Sequence, residues 1–284
     1  MSAATEFIGR TTSRTVGRER GRRLGSRKSP LLALVSILVY AFLYLPLIVI
    51  VLYSFSAAKV NVWPIEGYTL DWYRELRHDR DIVEGIKLSV RVGLIASAIA
   101  VVLGTLAGLA IDRYDFPGKA ALRFLIVLPI TLPGIVTGVA LLSYFTLIHW
   151  ELSNWTIIVA HATFCVTLVM NNVIGRLSQL PRDLEEASAD LGASPVQTFR
   201  RITLPLILPA VVAGALLAFT LSFDEIVVTL FLKGRDNTLP LVIWGRLRRG
   251  LSPEVNAAAT VIIAVSFVLV IASSLLAGRS SAKS

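Results

Sequence analysis

The sequence predicts an all-α protein that crosses a membrane several times, and two observations support this. Of its 284 residues, 55% are hydrophobic, above the roughly 45–50% apolar content of soluble domains, and the mean hydropathy is +0.70. Six apolar segments reach the length of about twenty residues that a helix needs to cross a bilayer. Because lipid offers no hydrogen-bond partners to the backbone, we expect these segments to be helices.

The six predicted spans are 31–53, 89–111, 124–147, 155–174, 204–223 and 257–277. The first is too long for the apolar core of a signal peptide and is predicted to be retained. In the second, Gly104 and Gly108 form a G-x-x-x-G pattern that permits close helix packing. In the third, Pro129 and Pro133 are expected to kink or break the helix. Such a break either borders a transport pathway or is a kink packed on neighbouring helices.

Lysines and arginines predict the orientation. Eight lie in residues 1–30, three in 112–123, four in 175–203 and two at the C-terminal end, 17 in all on one side. The other side has five in 54–88, none in 148–154 and five in 224–256, ten in all. The side with more positive charge is expected to be cytoplasmic, with both termini.

The net charge of +9 does not indicate a nucleic-acid-binding protein, because the basic residues of the tail 1–30 directly precede the first span. A basic tail at this position is expected to face the anionic lipids of the cytoplasmic membrane surface. The tail is also predicted to be disordered. The expected organisation is this tail, a six-span domain over 31–278, and the loop 175–203 within that domain. Aromatic residues of the loop 54–88 either anchor it at lipid headgroups or form a platform for a docking partner.

The loop 175–203 is predicted to be a helical hairpin. Asp183 can cap a first helix, with Glu186 completing a capping box, and Gly192 can end it in the left-handed conformation. Ser194 and Pro195 can begin a second helix that reaches about 202. By itself this pattern also fits an ordinary connection between spans.

The same loop resembles the EAA motif of ABC importer permeases, in which Glu-Ala-Ala-x-x-x-Gly is followed after nine residues by Ile-x-Leu-Pro. The matching positions are Glu186, Ala187, Ser188 (in place of the second alanine), Gly192, Ile202, Leu204 and Pro205. We call residues 175–203 the EAA-like loop. The resemblance implies the MetI-like fold of type I importers, with this loop as a coupling helix that docks on an ATP-binding subunit. It also implies a bacterial inner membrane location.

An acidic pair follows the fifth span. Ser222, Asp224 and Glu225 precede an apolar segment, 226–232, that is too short to span. Acids between apolar segments are unfavourable unless they face water or a cation. They lie either in a solvated loop or on a path that attracts cations.

The C-terminal half is similar to the polyamine branch of these permeases, the PotC/PotI-like group for spermidine and putrescine. The matching segments are Ser222–Glu225, Thr238–Leu241 and Leu251–Ala257, with His161–Phe164 and Asn171–Asn172 in the fourth span. This resemblance implies a small cationic amine as cargo, which carboxylates and aromatic rings would suit.

No chemistry is expected in this chain. No phosphate-binding P-loop is present in the sequence, the single Cys165 gives no multi-cysteine metal site, and His161 is expected to hydrogen-bond across helices. The resemblance implies a second, PotB-like permease, two ATP-binding subunits that hold ATP and Mg²⁺, and an extracytoplasmic binding protein. The alternatives are an ABC permease for another solute, or a secondary transporter, which should show internal symmetry and a midplane ionisable site.

Overall fold

A computed structural model describes residues 30–248, 250 and 252–281, with the backbone alone for Pro30 and 269–281. These residues form helices and no strand, apart from one bridge between Ser56 and Tyr68. The helices are α1 (Pro30–Tyr53), α2 (Asp71–His78), α3 (Arg80–Arg113), α4 (Lys119–Thr131), α5 (Gly134–Leu147), α6 (Asn154–Leu177), α7 (Asp183–Asp190), α8 (Pro195–Thr198), α9 (Leu204–Asp224), α10 (Val227–Leu232), α11 (Leu239–Leu247) and α12 (Pro253–Ser281). The predicted all-α fold class is confirmed, while the predicted disorder of the N-terminal tail concerns residues almost wholly outside the described range.

Four helical stretches of the described chain are long and apolar enough to cross a membrane: 31–53, 80–113, 154–177 and 195–224. A fifth results if α4 and α5 together make one span. In α12 the apolar part with described side chains, Pro253–Val268, is shorter than a span. The protein therefore crosses the membrane several times, and the count of six stays a prediction.

The helix α1, taken by itself, exposes nearly all of its side chains, from Leu31 through Val49. It is apolar along its length and contains Pro46. So much exposed apolar surface would be unfavourable in water. We therefore expect α1 to contact lipid or another protein chain.

The helices α3, α6 and α9 form the core of residues 47–281. Their facing side chains, including Ala100, Cys165, Val169 and Val211, are buried together. Gly104 of α3 lies so close to α6 that a Cβ there would stand 2.8 Å from the carbonyl oxygen of Val166. The close helix packing predicted from the G-x-x-x-G pattern is confirmed.

The third predicted span is broken, as its two prolines predict. The helix α4 ends at Thr131 and α5 begins at Gly134, with an angle of 111° between them. Pro133, which lacks an amide proton, is the N-cap of α5. The predicted break in this span is therefore confirmed, and α5 packs against α10, where a Cβ on Gly138 would lie 2.6 Å from the ring of Phe231.

The two tryptophans and two tyrosines of the loop 54–88 divide into two groups. The indole of Trp72 donates a 2.7 Å hydrogen bond to the backbone oxygen of Ser56, and the Tyr73 hydroxyl lies 2.6 Å from that of Ser54. Trp63 and Tyr68 are instead 80% and 72% exposed. The first pair fixes the loop to the fold, and only the second pair is available to lipid headgroups or a partner.

Candidate functional site

The first helix of the EAA-like loop, α7, ends as predicted. Gly192 has a φ of +80°, the left-handed conformation that glycine adopts without strain. The amide of Gly192 bonds to the oxygen of Ala189, and that of Ala193 bonds to the oxygen of Ser188. These two bonds make a Schellman motif, which satisfies the carbonyl groups at the helix end.

The start of α7 differs from the prediction. Asp183 is the first helical residue, and the N-cap is Arg182, without a side-chain capping bond. The predicted capping box of Asp183 and Glu186 is therefore wrong. The amides of Glu185 and Glu186 bond instead to the backbone oxygen of Arg182, so the helix simply begins one residue earlier.

The second helix of the hairpin begins as predicted but does not end near 202. Ser194 and Gln197 form a capping box, with Pro195 in the first turn. The helix α8 then passes through a π-helical turn, Phe199–Thr203, directly into α9. A helix made of α8, this turn and α9 therefore runs from the loop into a span, and movement of the loop would be carried along it.

The residues that match the EAA motif, which lie in the EAA-like loop and at the start of α9, differ in their environments. Glu186, Ala187 and Gly192 are exposed, and Glu186 has no side-chain partner among the described residues. The hydroxyl of Ser188 lies 2.9 Å from that of Thr198 and joins the two arms of the hairpin. Ile202 and Leu204 are partly buried, and Pro205 is exposed at the start of α9.

Sequence reasoning missed Glu185, the residue beside the motif glutamate. Its carboxylate accepts a hydrogen bond from the Thr203 hydroxyl and one from the guanidinium of Arg113. Nothing in the local pattern distinguishes Glu185 from Glu186, because both lie in the first turn of the same helix. Next to this contact is a cavity of about 490 Å³ between α3 and the hairpin.

The acidic pair lies at the other end of α9. That helix has 21 residues, or about 30 Å at 1.5 Å per residue, so Asp224 is at the opposite end of this candidate span from the EAA-like loop. Asp224 is exposed and has no side-chain partner among the described residues. The Glu225 carboxylate accepts a 2.9 Å bond from the amide of Val228, which lies in the first turn of α10. Ser222 is buried, and its hydroxyl faces the protein interior.

His161 joins three helices at this end of the molecule. It is completely buried, with Nδ1 2.7 Å from the Ser222 hydroxyl and Nε2 2.9 Å from the Thr229 hydroxyl. The single Thr229 proton is donated to the backbone oxygen of Glu225. It follows that Nε2 donates to Thr229 and Nδ1 accepts from Ser222 in a neutral imidazole. The predicted hydrogen bonding of His161 across helices is confirmed.

Replacing His161 with phenylalanine is expected to lower the free energy of unfolding by about 1–3 kcal/mol, because the buried Ser222 hydroxyl loses its partner. Thermal unfolding of the purified protein in detergent measures this. Thr163→Val is the matched control, since Thr163 bonds only to the Ala160 oxygen of its own helix. If the two variants unfold at the same temperature, the hydrogen bonds of His161 do not stabilise the fold.

A cluster of charges fixes α11 on the same side as the acidic pair. Arg246 donates to Asp79 at 2.6 Å and also to Glu254, and so connects α11 with the starts of α3 and α12. Burial acts to raise the pKa of Asp79, but the bonds from Arg246 and the Ile82 amide outweigh it and hold that pKa below its usual value. This side of the fold is therefore held by ion pairs as well as by apolar packing.

The described residues contain no group of three histidine, cysteine, aspartate or glutamate side chains that could hold a metal ion.

Comparison with known families gives one match over most of the chain. Residues 82–283 match the family described as "Binding-protein-dependent transport system inner membrane component". The matched range contains the EAA-like loop, His161 and the acidic pair.

Two of the similar curated proteins transport polyamines. The chain is 39% identical over 245 residues to the putrescine transport system permease protein PotI of Escherichia coli K12, covering 83% of this chain and 86% of PotI. It is 38% identical over 245 residues to the spermidine/putrescine transport system permease protein PotC of Haemophilus influenzae, covering 86% and 95%. A more distant relative, at 28% identity, is a putative 2-aminoethylphosphonate permease protein of Salmonella paratyphi A, with 82% and 89% covered.

Solved structures with low sequence identity share the fold. A bacterial transporter that imports alginate aligns with a TM-score of 0.70 at 16% identity, covering 88% of this chain and 94% of the other. The MetNI methionine transporter aligns with a TM-score of 0.60 at 17% identity, covering 70% and 95%. At these identities the alignments establish the fold alone.

Proposed function

We propose that this chain, which belongs to the family of inner membrane components of binding-protein-dependent transport systems, forms half of the path for polyamines in an ABC importer. The chain is a transport subunit and not an enzyme. The observation that best supports its role is the EAA-like loop, whose first helix ends in a Schellman motif and exposes Glu186 while its other arm continues into a membrane span.

The proposed cargo is putrescine, spermidine or a related small amine. The support is the acidic pair, in which Asp224 is exposed and has no side-chain partner among the described residues, together with 37–39% identity to permeases of spermidine and putrescine. An unpaired carboxylate can bind an alkylammonium group by a charge-assisted hydrogen bond. Of the three candidate path residues, Ser222 is proposed to act indirectly, since it bonds to His161.

The family implies that the chain works with another permease, an ATPase and a binding protein. We propose that the other permease is a different chain, that two ATP-binding subunits hold ATP and Mg²⁺, and that both termini are cytoplasmic, as the excess of basic residues on that side favours. The large exposed apolar surface of α1 suits contact with the second permease or lipid.

Transport would follow from movement of the EAA-like loop with the ATPase. Because α8, the π-helical turn and α9 are continuous, displacement of the loop moves α9 as a rigid element. That helix carries Asp224 at its far end, so the acid would change its surroundings when the path opens to the other side.

Uptake of labelled putrescine and spermidine by the reconstituted complex tests this function. We expect ATP-dependent uptake, and Asp224→Asn should raise the KM for the polyamine about tenfold or more, because a bond to a charged group is worth about 1.5–3 kcal/mol. Glu66→Gln, which removes another exposed carboxylate, is the control. An unchanged KM would show that Asp224 is merely solvated.

The choice of labelled solute separates the alternatives in the same assay. If the complex takes up neither labelled polyamine but takes up labelled 2-aminoethylphosphonate with ATP, the protein is an ABC permease for another solute. If uptake proceeds without ATP but requires an ion gradient, it is a secondary transporter.

A further inference from the structure

Glu185 connects the EAA-like loop to two membrane-spanning helices. The guanidinium Nη2 of Arg113, the last residue of α3, donates to Oε1 of Glu185 at 3.3 Å, and its Nε lies 3.1 Å from Oε2 as an ion pair. The Thr203 hydroxyl, at the entry to α9, donates to the same Oε1 at 2.9 Å. One carboxylate therefore joins α7 to both helices.

This connection lies in a sheltered position. The Arg113 side chain is 11% exposed, that of Glu185 is 26% exposed, and Thr203 is buried. Charges so placed are screened by salt much less than surface pairs. The bonds of Glu185 should therefore persist under physiological conditions.

Apolar packing alone does not hold α7 in place. Its eight residues include no buried side chain. Its other polar attachments are a bond from Arg182 to the backbone oxygen of Asp112 and the contact of Ser188 with Thr198 inside the hairpin. Among these side-chain attachments, that of Glu185 alone reaches both α3 and the start of α9.

The two adjacent glutamates point in different directions. Consecutive residues of an α-helix are about 100° apart around the axis, and Glu185 faces the spans while Glu186 faces solvent. An ATPase that binds the solvent-facing side of α7, where Glu186 lies, would therefore act on the spans through the opposite side, where Glu185 lies.

We infer that Glu185 is the positioning residue that transmits movement of α7 to α3 and α9, through Arg113 and Thr203 respectively. This inference rests on the proposed function. Glu186 belongs to the surface that the ATPase binds, whereas Glu185 carries the force inward and contacts neither ATPase nor cargo.

Glu185→Gln and Thr203→Val test the inference in the reconstituted complex. The glutamine keeps the size of the side chain and loses its charge, and the valine has the shape of threonine without the hydroxyl. Three quantities are measured: the amount of ATP-binding subunit that co-purifies, the ATPase rate, and the putrescine taken up per ATP hydrolysed. Asp115→Asn, which removes an exposed carboxylate from the loop after α3, is the control.

We expect both variants to retain the ATP-binding subunit and to hydrolyse ATP while uptake per ATP falls, by about fivefold or more for Glu185→Gln. Because both act on one connection, the double variant should resemble Glu185→Gln alone. Asp115→Asn should behave like the wild type.

Two results would overturn the inference. Wild-type uptake per ATP in both variants would show that the connection transmits nothing, and loss of the ATP-binding subunit in both would place Glu185 in the docking surface. Failure of the proposed function is seen separately, because the wild-type complex would then show no ATP-driven uptake of a polyamine.

Discussion

Replacing Glu186 with lysine is expected to abolish ATP-driven uptake while the isolated protein folds normally. Glu186 is exposed and has no partner among the described residues, so its replacement should change the free energy of unfolding by no more than about 0.5 kcal/mol. In the proposed interface with the ATPase, a basic residue that pairs with Glu186 would then face a like charge, which costs several kcal/mol. The loss should therefore appear in assembly and transport and not in folding.

Co-purification of the ATP-binding subunit and uptake in vesicles measure this effect. Glu66→Lys is the matched control, because it makes the same charge reversal at an exposed residue of the loop before α2. If Glu186→Lys retains both the ATP-binding subunit and normal uptake, the EAA-like loop does not dock through this glutamate.

Replacing Gly104 is expected to be the most damaging change to the fold. A Cβ at this position would lie 2.8 Å from both the Val166 oxygen and the Val169 Cβ, and 3.0 Å from the Met170 amide nitrogen. Two of these three are backbone atoms of α6, which no side-chain rotation can move away. Even alanine must push α3 and α6 apart, at about 1–3 kcal/mol, and leucine should prevent this packing altogether.

Thermal unfolding of Gly104→Ala and the yield of folded Gly104→Leu measure this cost. We expect the alanine variant to unfold roughly 2–12 °C lower, at about 2–4 °C per kcal/mol for a chain of this size. Gly175→Ala in α6 meets no atom within 4 Å, and should slightly stabilise the helix instead. Equal unfolding temperatures for the two alanine variants would mean that the close contact is absent in the folded protein.

Local chemistry made several features of the structure predictable. Glycine is the residue that takes the left-handed conformation without strain, which places the end of α7 at Gly192. The ring of Pro133 cannot continue a helix, so the break between α4 and α5 follows from one residue type. Ser194 with Gln197 similarly begins α8.

Features that depend on distant contacts were not predictable in this way. The residue types at Asp183 and Glu186 predicted a capping box, but the N-cap of α7 is Arg182, which makes no side-chain capping bond. Pro240 could have indicated α11, because proline is common in the first turn of a helix. The position of α11 in the fold, however, depends on Ser89, 150 residues away, whose hydroxyl accepts a hydrogen bond from the Leu239 amide.

The sequence by itself therefore determined that this protein is helical, crosses a membrane and has a two-helix loop at 175–203. Those properties follow from apolar length, backbone hydrogen bonding and the conformational limits of glycine and proline, all of which act within a few turns of chain. Only the tertiary structure decided which carboxylate faces inward, because Glu185 and Glu186 have the same local environment along the chain. Their difference arises where Arg113, 72 residues earlier, and Thr203, 18 residues later, meet one side of α7.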